Sequence, residues 1–306
     1  MSHISGVPAR VTIPSLLQKK LVHEKITMLT AYDYPSAATL DQSEIDIVLV
    51  GDSLAMVMLG HENTLSIGME EMLYHTKAVT RGCRRALVVG DMPYGSYQGG
   101  INQAIANGMR FIKEGGCAAV KLEGGKQRAS IIAAMTEAEI PVMAHVGLTP
   151  QSMHRFGGFK VQGKSVDAAM AIVEDALAVQ EAGAFSVVLE GIPSVVAGEI
   201  TRRLRIPTIG IGAGRFCDGQ VLVWHDFLGL VNRQPARFVK QYASLYGEIL
   251  AAVNNYCRDV QESSFPDEEH AYGMPEAEKF LEQVEEIYGD HTAHPANEGS
   301  FPKSPI

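Results

Sequence analysis

Residues 45–60 read IDIVLVGDSLAMVMLG. From Ile45 to Val50 the run is aliphatic except for Asp46, as a buried strand is, and then Gly51-Asp52-Ser53 delivers a carboxylate. Residues 86–95, ALVVGDMPYG, repeat the pattern with Gly90-Asp91. Two buried strands that each end in Gly-Asp place two carboxylates side by side at one rim of a sheet.

Similar short aliphatic segments extend in both directions. Strands are predicted at 27–33, 46–52, 86–91, 118–124, 141–147, 185–191, 207–214 and 220–226. Helical patterns lie between most of them, at 69–82, 102–116, 127–139, 167–183 and 193–204, and several close on a glycine. Aliphatic strands joined by helical crossovers imply a parallel sheet covered on both faces. Eight of them fit a closed (β/α)₈ TIM barrel with its active site at the C-terminal strand ends. Strands seven and eight are separated by little more than RFCDG, too short for a helix, so a doubly wound open sheet is the alternative. Before the first strand, TIPSLLQKKLVHEK (12–25) reads as a capped N-terminal helix. A long helix over 237–261 is expected to close the barrel, and a second, amphipathic one covers 275–290. The barrel domain is therefore drawn over 1–261. An acidic extension, disordered in its last stretch, follows over 262–306.

The net charge of −9 belongs to that extension. Residues 261–306 hold 11 acidic and 2 basic side chains, whereas residues 1–260 hold 24 of each. A neutral body offers no global field for nucleic acid or an anionic membrane. The four cysteines, Cys83, Cys117, Cys217 and Cys257, lie far apart without a C-x-x-C pair, which argues for reduced thiols rather than disulfides or zinc. No apolar run approaches a membrane span, and the N-terminus lacks a secretory core, so a cytoplasmic protein is expected.

The strand ends converge on one mouth and deliver Tyr32, Asp33, Asp52, Ser53, Asp91, Lys121, Glu123, His145, Glu190, His225 and Asp226. Crowded carboxylates repel, and a divalent cation is the simplest compensation. Oxygen ligands without cysteine favour Mg²⁺. Each residue also has a plainer reading. Asp52 or Ser53 could cap the next helix; Glu123 could be only the partner of Lys121; Glu190 could pair with Arg202 or Arg203. His145 could be a core histidine, and His75 is read as structural. GIGAG (210–214) lacks the spacing of a dinucleotide fingerprint and suits a loop that lets a substrate approach the backbone.

A set of stretches goes further: TMLTAYDYPSA (27–37), VLVGDSLAMVMLGHENTL (48–65), YHTKAV (74–79), VKLEGG (120–125), HVGLTPQSMHRFGGFKVQGK (145–164), VVLEGIP (187–193), IPTIGIGAG (206–214) and CDGQVLVWHDFLGL (217–230). In chain order, from the first helix to Leu230, they resemble the ketopantoate hydroxymethyltransferase family. The resemblance implies a barrel of the phosphoenolpyruvate/pyruvate type that moves a one-carbon unit from 5,10-methylenetetrahydrofolate onto 3-methyl-2-oxobutanoate through a Mg²⁺-stabilised enolate, in pantothenate synthesis. It implies metal carboxylates at Asp52, Asp91 and Glu123, and keto-acid contacts at Asp52, Ser53, Asp91 and Lys121. It implies a proton acceptor at Glu190, with His145 against the new hydroxyl, and a homodecamer. The acidic extension has no counterpart in that pattern. Another Mg²⁺ barrel enzyme acting on 2-oxo acids without folate, or a non-catalytic keto-acid-binding scaffold, are the competing functions.

Overall fold

The computed structural model describes residues 9–289. Eight parallel strands close into a barrel in the order β1 to β8: β1 Ile26–Thr30, β2 Ile47–Val50, β3 Leu87–Asp91, β4 Ala119–Glu123, β5 Val142–Gly147, β6 Ser186–Glu190, β7 Thr208–Ile211 and β8 Gly219–Leu222. Pairing of β8 with β1 shuts the ring, with Met28 opposite Val221. The open sheet is thereby ruled out.

The β7–β8 link, too short for a helix, does not prevent closure. Strand β7 is four residues long, about 13 Å of chain. Residues 212–218 reach roughly 20 Å when extended, enough to return to the start of β8. Asp218 fastens that return, accepting the Thr208 N–H at 2.9 Å and the Lys20 ammonium at 2.7 Å.

Side chains alternate along each strand, and the two sets build two cores. Ile26, Met28, Ile47, Leu49, Leu87, Val89, Ala119, Met143, Val188, Ile209 and Val221 fill the barrel interior. Leu16 joins them from the N-terminal helix Ile13–Leu21, which is capped as expected by a Thr12–Ser15 box. The other set, including Val48, Val50, Val88, Val120, Leu122, Val142 and Leu189, packs against the surrounding helices. Full burial of each such side chain contributes roughly 1.5–3 kcal/mol.

The helices Met69–Gly82, Ala129–Glu137, Val166–Glu181 and Ser194–Arg203 lie where the periodicity places them. Ile101–Arg110 continues as a π-helical turn, Phe111–Gly115, that sets the Phe111 ring against Gly90, where any Cβ would collide. This explains the glycine that precedes Asp91. Two expectations near the end need correcting. Strand β8 stops at Leu222, and His225 and Asp226 ride on the short helix Trp224–Leu228 rather than on a strand end. The long helix starts at Leu245, not at 237.

The chain divides into two compact units, up to Ser244 and from Leu245. The division falls before the long helix, not after it as the sequence reading has it. The barrel is complete without that helix, because β8 pairs directly with β1. The second unit contains the helices Leu245–Gln261 and Ala277–Tyr288. The stretch expected to be disordered, 291–306, lies outside the described residues. All four cysteines are free thiols. Among the described residues no helix is long and apolar enough to cross a membrane.

Candidate active site

The inward alternation that fills the barrel with aliphatic residues continues to its C-terminal rim and there turns polar. Leu87 and Val89 are followed two residues on by Asp91, Ala119 by Lys121 and Glu123, Met143 by His145, and Val188 by Glu190. Strand register then makes the pairs. Asp91 stands beside Lys121, and Glu123 beside His145. Asp52, just past β2, is tied to this row by its backbone N–H, which donates to Asp91 Oδ2 at 3.1 Å.

The Lys121 ammonium donates to both oxygens of Asp91, at 2.9 and 3.0 Å, and lies 3.6 Å from Glu123 Oε1. Asp91, rather than Glu123, is therefore its main partner. His145 bridges two carboxylates, with Nδ1 3.4 Å from Glu123 and Nε2 3.3 Å from Glu190. Neither ring nitrogen makes a well-formed hydrogen bond, so these contacts are chiefly ionic. Glu190 keeps 16% of its side chain exposed and faces the cavity, while the other four side chains are buried. Arg202 and Arg203 are engaged with Glu199 instead of Glu190.

Burial dominates the electrostatics. It raises the Asp52 carboxyl well above its usual range, and Asp91 and Glu123 push the same way. Asp91 is also raised by burial, against the pull of Lys121. Burial acts on Glu123 too, but Lys121 and His145 outweigh it and lower that carboxyl. Burial and Lys121 both depress His145; Glu123 and Glu190 more than offset them and lift it to about 9. Fully ionised, and with His145 charged, the four carboxylates would exceed the ammonium and imidazolium by two negative charges, and their mutual repulsion is part of what raises Asp52 and Asp91.

Neither Asp52 nor Ser53 caps the short helix Leu54–Val57 with its side chain. Ser53 Oγ instead meets the Tyr32 hydroxyl at 2.9 Å. Asp33 does cap, accepting the Ser36 N–H at 2.8 Å, and is structural. His75 is structural as well, its Nδ1 lying 2.6 Å from the Tyr32 carbonyl. Two further residues at the mouth have neither charge nor strand periodicity to mark them in the sequence. Gln151, on the turn after β5, donates to Asp52 Oδ2 at 2.9 Å, and Tyr97 hydrogen-bonds Gln151 at 2.6 Å. Both are uncharged loop residues, and only the GLTPQS stretch that contains Gln151 drew any notice.

A cavity of about 530 Å³ opens over this row. Its floor is Asp52, Asp91, Lys121, Glu123, His145 and Glu190; aliphatic and aromatic residues, among them Leu148, Val161, Phe159 and Phe238, form much of its wall. That combination suits a small polar group seated deep, cationic or brought in with a cation, and a larger, less polar one above it. Among the described residues no three histidine, cysteine, aspartate or glutamate side chains stand together as a ready metal cluster.

The sequence model of the ketopantoate hydroxymethyltransferase family matches residues 10–268, beyond the Leu230 reached by the motifs. The chain is 56% identical over 269 residues to 3-methyl-2-oxobutanoate hydroxymethyltransferase of Syntrophobacter fumaroxidans, covering 88% of this chain and 95% of that protein. It is 54% identical to the protein of that name from Pelobacter propionicus, covering 88% and 100%. Among solved structures it resembles phosphonopyruvate hydrolase in complex with oxalate and Mg²⁺, with TM-score 0.57 and 12% identity over 90% of this chain and 99% of that one. It also resembles 2,3-dimethylmalate lyase of the PEP mutase/isocitrate lyase superfamily, with TM-score 0.55 and 16% identity over 90% and 100%. Likeness at these low identities speaks for the shared barrel alone.

Proposed function

The chain belongs to the ketopantoate hydroxymethyltransferase family, and we infer that it transfers a hydroxymethyl group from 5,10-methylenetetrahydrofolate to 3-methyl-2-oxobutanoate, forming ketopantoate for pantothenate synthesis. The observation that carries the residue roles is the row of buried, crowded carboxylates beneath the cavity.

That row fits Mg²⁺ by chemistry. Its donors are oxygens, Glu123 Oε1 is buried without a hydrogen bond, and a divalent cation would offset the repulsion that raises Asp52 and Asp91. Asp52 and Asp91 would hold the cation, with Glu123 behind them. Bound there, Mg²⁺ would supply electrophilic stabilisation for negative charge developing on the ketone oxygen of the substrate.

The chain's own residues supply the rest. Lys121, fixed against Asp91, presents a permanent positive charge to the keto-acid end of the substrate. Ser53 offers a hydroxyl beside it, oriented by Tyr32. Glu190, the one carboxylate of the row with appreciable exposure, would take the C3 proton. His145 touches Glu190 on one side and Glu123 on the other, so it can hold Glu190 in place and meet the hydroxyl of the product. The apolar wall above excludes water and leaves room for the folate. Holding both reactants in one cavity provides the orientation term, worth up to ~7–11 kcal/mol.

A cytoplasmic homodecamer is the assembly and location that the family resemblance suggests. The test of function is direct: 3-methyl-2-oxobutanoate, methylenetetrahydrofolate and Mg²⁺ together should yield ketopantoate, and omitting any one should stop it. Turnover of the keto acid without folate would instead favour a carbon–carbon lyase on the same barrel.

A further inference from the structure

Gln151 is the least explained polar group at the mouth. It carries no charge, lies on the single turn Pro150–Ser152 after β5, and is buried to 6% exposure. Yet every polar atom of its side chain is used. Nε2 donates one hydrogen to Asp52 Oδ2 at 2.9 Å and the other to the Met92 carbonyl at 3.0 Å. Oε1 accepts from the Tyr97 hydroxyl at 2.6 Å and from Gln98 Nε2 at 3.3 Å. Its backbone N–H donates to Glu123 Oε2 at 2.9 Å. One residue thus grips two mouth carboxylates that arrive from β2 and β4.

Tyr97 fixes which way round the amide sits. Its ring is fully buried, its oxygen accepts the Glu123 N–H at 3.1 Å, and its one proton goes to Oε1 of Gln151, 2.6 Å away, in preference to the Glu123 carbonyl at 3.4 Å. Burial and the nearby Glu123 keep the phenol protonated far above neutral pH, so it stays a donor. A flipped amide would set Oε1 against both the Asp52 carboxylate and the Met92 carbonyl, acceptor facing acceptor. The order Tyr97, Gln151, Asp52 is therefore the arrangement that pairs every donor with an acceptor.

We propose that Gln151, clamped by Tyr97, is a positioning residue that sets Asp52 and Glu123 at the spacing a divalent cation requires. This rests on the metal reading given above. Unlike the strand-borne ligands, Asp52 follows the end of β2, and its side chain has no neighbouring strand residue to lean on; Gln151 supplies that support from across the mouth. Outer partners of this kind typically govern metal affinity by 10–100-fold.

The experiment is Mn²⁺ binding, as a spectroscopic stand-in for Mg²⁺, to full-length wild type, Gln151→Leu and Tyr97→Phe, followed by electron paramagnetic resonance. The wild type should bind, Gln151→Leu should bind about 10–100-fold more weakly, and Tyr97→Phe should shift in the same direction by less. Raised Mg²⁺ should restore much of the turnover of both variants, as a loss of fold would not allow. If Gln151→Leu does not fold, Tyr97→Phe carries the test, because it leaves the amide in place and removes its clamp together with the acceptor of the Glu123 N–H. Variants that bind Mn²⁺ within twofold of wild type overturn the proposal while leaving the metal reading intact. A wild type that binds no Mn²⁺, with or without keto acid, overturns both.

Discussion

Both ends of the barrel carry buried or half-buried carboxylates, held in opposite ways. At the foot, where the strands begin, Asp46 accepts the Thr27 N–H at 2.9 Å and the Lys19 ammonium at 2.8 Å. Asp218 does the same with Thr208 and Lys20. Asp41 accepts backbone N–H groups of Arg84, Arg85 and Ala86, which more than offset its partial burial and lower its pKa. These acids staple helix to strand and strand to strand. At the mouth, Asp52 and Asp91 are raised, His145 is shared between two acids, and Glu123 keeps an oxygen without a hydrogen bond. The residue types are the same at both ends. What sets the mouth apart is that burial and neighbouring acids outweigh the donors that the fold supplies to Asp52 and Asp91.

Substitutions should split along that line. The largest effect is expected at Asp52 and Asp91. Asp52→Ala should lower turnover by at least about 10²–10³-fold. Without divalent cation Asp52→Asn, which keeps an acceptor for Gln151 Nε2, should hold or raise the Tm. An acid whose folded pKa is raised destabilises the fold once ionised, so neutralising it removes that penalty near neutral pH. Asp91→Ala should match Asp52→Ala in activity but lose stability, since it leaves the buried Lys121 without its main partner. Near-normal Mg²⁺-dependent activity in either variant would remove that residue from the cation's ligands.

Next in size is the foot. Asp46→Ala removes a charged acceptor from the Thr27 N–H and from Lys19, and should cost about 1.5–3 kcal/mol. The kcat of the folded protein should stay within about twofold. Denaturation curves and steady-state rates on one preparation check both halves, and a fall in kcat matching Asp52→Ala would dissolve the distinction between the ends.

The sequence shows the mouth more readily than the foot. Asp91, Lys121 and Glu123 stand out because charged residues at inward positions of aliphatic strands have few ordinary uses. Asp46 has the same look, but its role depends on Lys19, brought near by the N-terminal helix, and on Thr27, brought near by the pairing of β1 with β2. The partner of Lys121 depends on strand register, Asp91 against Lys121, which local pattern does not encode. The over-long eighth strand arises because the apolar run 221–224 continues into Trp224, where the chain already turns helical. Gln151 leaves no periodic trace at all: it is a neutral residue on one turn, and its use appears only when closure of the ring sets the turn after β5 across the mouth from the end of β2.

A smaller, pH-dependent difference is expected from His145. Its folded pKa, about 9, exceeds its ordinary 6.5, so without metal its contribution to stability is complete below about 6.5 and is lost as pH rises through about 9. Thermal melts in chelator of wild type against His145→Gln should differ most at low pH within this window and converge above it. A gap that stays constant from pH 6 to 9 would mean that the imidazole is neutral in the folded protein.

The central claim is that the mouth activates C3 of the keto acid, and hydrogen exchange reads that step in isolation. With Mg²⁺ and without folate, the wild type should exchange the C3 proton of 3-methyl-2-oxobutanoate for solvent deuterium, followed by NMR. Glu190→Gln keeps the shape of the side chain but cannot accept the proton, and should slow exchange by about 10²–10⁴-fold while the substrate still binds. Exchange at the wild-type rate in Glu190→Gln, with no ketopantoate formed, would contradict the assignment and move Glu190 to the folate half of the reaction.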